Sequence, residues 1–181
     1  MVDAAAKEAA VVRFLEENAH VGRPDNEHPA LRGCTEIAWS EIPGCPADVP
    51  LLFNGLLDEV AAPEAARVLT NVLMGGIFHL SAAMPAALPF LLRLAADPEI
   101  SVRSSLLDLV VITAELSQPV DAENERAVLL LGNDSDHPER ELCREVFSAH
   151  APLVRTLLHD DTVDAADKAL LEQVVGPRSE A

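Results

Sequence analysis

The sequence predicts one all-α domain, a right-handed stack of antiparallel helical hairpins, and three observations carry that expectation. Nearly half of the residues (49 %) are apolar, only 3 % are aromatic and Tyr is absent, so Leu, Val and Ala must fill the interior. That balance suits helix-on-helix packing better than a sandwich or a barrel. A proline-marked segment recurs as VPLLFNGLLD, LPFLLRLAAD and APLVRTLLHD, with Pro50, Pro89 and Pro152 each eight residues ahead of Asp58, Asp97 and Asp160. At 181 residues the chain can bury one substantial core, and two full domains would be cramped.

In chain order, residues 2–19 read as a helix, rich in Ala, Glu and Leu with Val11, Val12, Phe14 and Leu15 apolar, and Gly22 and Pro24 close it. Over residues 20–46 the periodicity fails and prolines and glycines punctuate a connector. Each recurring segment then predicts a helix start, because a first-turn proline has no helical N–H partner to lose. Each closing Asp is placed to cap the next helix through its free amides. Those second helices are expected over residues 63–78, weakened at the end by Gly75 and Gly76, over 99–116, and over 163–175 before the stop signals Gly176 and Pro177. The 99–116 helix holds Leu106, Leu107, Leu109, Val110, Val111 and Ile112, apolar nearly all round, and belongs in the middle of the stack. Its LVVI run also suits a buried strand, but the length and the Asp97-Pro98-Glu99 start favour helix. Residues 117–149 are extra chain, with helices around 123–131 and 138–148, and read as a degenerate repeat or an insertion. The organisation is therefore residues 1–46 as helix and connector, 47–176 as the repeat domain and 177–181 as a tail.

The stretches AWSEIPGCPADVPLLFNGLLD, FHLSAAMPAALPFLLRLAADP and CREVFSAHAPLVRTLLHD resemble a family of actinobacterial HEAT-repeat (armadillo-like) proteins, mostly of unassigned function. With the helices between them they cover most of residues 38–175. The resemblance implies a HEAT-like α-α superhelix, a scaffold that hosts many functions. Members usually follow the histidine of the middle motif with a polar Gly-Thr-type turn and an aromatic, whereas here His79 is followed by LSAAMP. Some small acidic HEAT-like bacterial proteins look like immunity proteins that cover a toxin, which implies a protein partner.

Charge narrows the function classes. A formal net charge of −17, with thirteen Lys and Arg against thirty Asp and Glu, disfavours direct binding to nucleic acid or to an anionic membrane. A basic protein is its natural complement, and simple self-repulsion in solution is the plainer account. Cys34, Cys45 and Cys143 make neither an even framework nor a Cys-x-x-Cys pair, which points to reduced thiols in a cytoplasm. The N-terminal stretch lacks the basic and apolar regions of a signal peptide, and no apolar run reaches the roughly eighteen residues that a membrane span needs.

Several constellations can be weighed for chemistry. His28, Cys34 and Cys45 are the densest metal candidates, yet they lack the tight ligand pair of a structural zinc site, so neither metal nor cofactor is expected. Cys143 and His150 lie two helical turns apart, too far for a nucleophile pair, and Cys143 falls on an apolar helix side. His79 is expected at a helix end, capping a carbonyl or contacting a ligand at a repeat junction. The acidic groups within 121–145 and 160–167 suit solvated faces and caps, or a lure for a basic partner. Trp39 suits a lid over one end of the core. Phosphate loops, Ser-His-Asp order and basic aromatic patches are missing from the sequence.

The leading expectation is a non-enzymatic binding protein, an acidic adaptor or immunity-type inhibitor meeting a basic partner. Its candidate surface is His79, Phe90, Trp39, Asp160, Asp161 and Asp164. A small-ligand module with an apolar pocket near His79 and Phe90 is one alternative. A HEAT-like nucleic-acid repair enzyme is another, at odds with the charge.

Overall fold

The computed structural model describes residues 3–21, 28–160 and 163–175. Helix α1 (Ala4–Glu17) starts at Asp3, whose carboxylate accepts from the Ala5 amide, and it buries Lys7, Val11 and Phe14 along one stripe. Short 3-10 turns follow at Ala19–Val21, Pro29–Leu31, Cys34–Glu36 and Trp39–Glu41. Then come α2 (Val49–Gly55), α3 (Ala62–Leu73), a hairpin of β1 (Met74–Gly76) and β2 (His79–Leu80), α4 (Met84–Ala95) and α5 (Arg103–Leu116). The chain ends in α6 (Glu125–Leu131), a 3-10 turn at Asp134–Asp136, α7 (Pro138–Ala149), α8 (Ala151–Leu158) and α9 (Ala165–Val175). The protein is mostly helical, as expected, and the LVVI run lies inside α5.

Sequential pairs α2–α3, α4–α5 and α8–α9 pack against each other, and α5 also meets α3, α7 and α9. One buried cluster runs from Val11 in α1 to Val174 in α9, so α1 and the described part of the connector share their interior with the helices that follow. The connector is pinned to it: Asn54 Nδ2 donates to Val21 O at 2.9 Å, and Arg93 donates from Nη1 to Ala30 O and Arg32 O, both at 3.1 Å. Trp39, Phe53 and Phe90 form an aromatic cluster with ring centroids 5.5 to 6.4 Å apart, and the Trp39 indole donates to Cys34 O at 2.8 Å. Arg93 lies over the Phe90 ring, 5.0 Å from its centre.

The proline logic holds at two of its three positions. Pro50 and Pro152 occupy first turns, but Pro89 lies inside α4, and Pro85 takes the first-turn place. The acidic caps also redistribute. Asp58 accepts from the Val60 and Ala61 amides at 3.0 and 2.8 Å, ahead of α3. Asp97 accepts from Glu99 N at 3.0 Å only to shape a turn, because Ile100 and Val102 are drawn into the core and α5 starts at Arg103 rather than at 99. Arg103 forms an ion pair with Asp160, and the cap of α9 falls to Asp164, which accepts from Asp167 N at 2.9 Å.

Residues 117–149 divide by burial. Helix α7 buries Arg140, Cys143 and Phe147 and packs on α4, α5 and α9, whereas α6 buries none of its residues.

Candidate functional site

The largest departure from expectation lies where the 63–78 helix was to end. Helix α3 stops at Leu73, and Gly75 and Gly76, poor helix formers, enter the antiparallel hairpin instead. Gly75 is needed there: a Cβ on it would lie 2.9 Å from Leu80 O on the facing strand. The two-residue tip leaves Ile77 86 % exposed and Phe78 partly so. His79 therefore sits on β2 and not at a helix end.

Beside the hairpin is an open-mouthed cleft of about 1100 Å³. Residues 74–82 form one wall, Pro43 and Gly44 of the connector another, and Ala4, Lys7, Asn71 and His137 complete it. That volume lies just above the range of roughly 300–1,000 Å³ common for ligand pockets. In a chain of formal net charge −17, no Asp or Glu is among the described residues that line it.

His137 is brought in by the turn before α7. Its ring stacks on that of His79, with centroids 4.8 Å apart and planes 16° from parallel, and its Nδ1 lies 2.9 Å from Glu139 Oε1. Gly132, at φ +74°, makes room for it, since a Cβ there would lie 2.6 Å from His137 Nε2. Buried Arg140 holds this corner by donating to Asp134 Oδ1 at 3.1 Å and to Leu131 O. Burial pushes the His79 imidazole below its ordinary value, helped by the neighbouring His137 and Arg140, and Glu139 opposes the shift. Two residues that line the cleft each hold a buried polar atom without a hydrogen-bond partner, His79 Nδ1 and Ser81 Oγ.

Lys7 is 6 % exposed and donates from Nζ to Val72 O at 2.7 Å. No carboxylate pairs with it among the described residues, and burial lowers its pKa, with Cys45 opposing. Helix α4 begins just after the hairpin without a side-chain cap.

Of the residues singled out from sequence, only His79 lines this cleft. Phe90 and Trp39 are core residues, Trp39 supplied by the connector's own 3-10 turn. Asp160 is tied to Arg103 and Asp164 caps α9, both far along the chain from the hairpin, and Asp161 lies outside the described residues. His28, Cys34 and Cys45 do not gather as a metal-ligand set, nor does any other trio of His, Cys, Asp or Glu among the described residues. His28 instead accepts from Ala30 N at 3.3 Å, and burial pushes Cys34 up to about 12 and Cys45 up to about 11. Cys143 is likewise buried and pushed up to about 12.

Sequence reasoning missed Lys7, Ser81 and His137. For Lys7 a signal existed, because Lys7, Val11 and Phe14 recur at the spacing of one helix face. His137 carries no local signal, since only the fold brings it to His79. No protein-family model, curated protein or solved structure matches the chain.

Proposed function

We propose that this chain is a non-enzymatic, HEAT-like helical-repeat protein that binds a small ligand in the cleft beside the 74–80 hairpin. The observation that carries the reading is a cleft with largely apolar walls, two of whose lining residues, His79 and Ser81, each hold a buried polar atom without a partner. Such atoms cost free energy unless something pairs with them, and a few polar groups on apolar walls are how small-ligand sites achieve orientation. The repeat architecture is supported by the packing of α5 between α3 and α9 and of α4 against α8. Reduced thiols fit a cytoplasmic setting, and no helix among the described residues is long and apolar enough to cross a membrane.

The test is a fragment screen by saturation-transfer NMR on the full chain, repeated with Ala82→Trp, which places an indole in the cleft from an exposed position. Fragments should bind the parent protein and be lost from the variant. An empty screen, or fragments indifferent to the indole, would remove the ligand reading.

The second reading keeps the acidic adaptor or immunity-type inhibitor, favoured by α6 with Leu129 85 % exposed and by the exposed carboxylates Glu123 and Glu125 at its start and Glu141 and Glu145 on α7. A basic partner recovered by pull-down at low salt should be lost at high salt. A nucleic-acid repair role needs a cationic groove that thirteen Lys and Arg in a chain of net charge −17 are poorly able to build.

A further inference from the structure

The cleft has a sign opposite to that of the molecule around it. The chain carries a formal charge of −17, yet the ionisable groups lining the cleft are Lys7, His79 and His137. Lys7 has three donors, and its Nζ donates at 2.7 Å to the carbonyl of Val72. A buried ammonium beside a neutral carbonyl is incompletely compensated.

Ser81 adds a second polar group. It lines the cleft, and its buried hydroxyl has no hydrogen-bond partner among the described residues, so it keeps a donor free beside the lysine's. The hairpin contributes Met74, Ile77 and Phe78 to the same cleft.

Building on the ligand reading above, we propose that the cleft takes a small amphipathic monoanion, a carboxylate on an apolar body. The head sits on the Lys7 ammonium and the Ser81 hydroxyl, and the body lies against Met74, Ile77 and Phe78. A single charge follows from the single lysine, because a dianion would leave one charge unmatched in an acidic protein. An apolar body follows from the walls, which offer a fully hydrated anion nothing to replace its water.

The experiment is calorimetric titration of the full chain with octanoate and with octanol, which share a tail and differ in head. Octanoate should bind more tightly by about tenfold or more, the scale of a charge-assisted hydrogen bond. Lys7→Met, checked for an unchanged circular dichroism spectrum, should erase that advantage and leave octanol binding as it was. Ser81→Ala, which removes only the hydroxyl, should weaken octanoate alone. Equal affinity of the parent protein for the two heads overturns the anion inference while leaving the cleft as a ligand site. Octanoate binding that survives in both variants, or binding of neither compound, also overturns it. The fragment screen with Ala82→Trp judges the cleft reading separately.

Discussion

His79 illustrates how a residue's surroundings set its response to pH. Burial first, and then the charges of His137 and Arg140, hold it below its ordinary value of 6.5. The unfolded chain therefore takes up this proton more readily than the fold does, and stability falls as pH drops from 6.5 toward the lower folded value. Glu64, held down chiefly by its hydrogen bond from Arg67, and Asp58, held down chiefly by the Ala61 amide, act in a more acidic window. Their contribution is present above 4.5 and 3.8 and is lost as pH falls through their depressed folded values. Thermal melts across pH should show a first decline beginning below 6.5 that His79→Asn removes, and a second below 4.5 that both proteins share. An identical first decline in the variant would assign it to another group. The thiols respond to burial in the same way: at pH near 7.5 iodoacetamide should modify half-buried Cys45 ahead of Cys34 and Cys143, which react only on unfolding. Peptide mapping by mass spectrometry reads the order.

At the scale of elements, the hairpin and the 117–149 stretch make opposite demands on their sequences. Gly75→Ala forces a methyl group against Leu80 O at 2.9 Å and should cost about 1–3 kcal/mol, read as a lower urea midpoint with an unchanged slope. In the extra chain, Phe147→Ala in α7 empties a fully buried position and should cost about 3–5 kcal/mol, while Leu129→Ser in exposed α6 should stay within about 0.5 kcal/mol. The helices were legible because apolar spacing and first-turn prolines act locally, as at Pro50 and Pro152. Where long-range packing decides, local signals mislead. Pro89 marks no helix start because Pro85 already provides one, and Asp97 caps no helix because the core draws in Ile100 and Val102 first. Gly75 and Gly76 did signal trouble at a helix end, but only the facing strand turns that weakness into a hairpin. The cleft was the least legible feature, since Lys7, His79 and His137 lie on three separate elements and only His79 had been singled out.

At the scale of the whole molecule, one core and one strong charge dominate. A single cluster from Val11 to Val174 implies cooperative unfolding, with α1 lost together with the later helices. A formal charge of −17 repels itself, so 0.5 M sodium chloride should raise the melting temperature of the full chain, and a fall would mean that its ion pairs outweigh the repulsion. The turn before α7 folds back onto the 74–80 hairpin and closes one side of the cleft with His137, and the stacked rings of His79 and His137, 4.8 Å apart, report that closure. The most direct test is therefore a histidine-resolved NMR spectrum of the intact protein. Cross-relaxation between the ring protons of His79 and His137 is expected. Two rings without mutual cross-relaxation would contradict the packing of the turn before α7 against the hairpin that shapes the cleft.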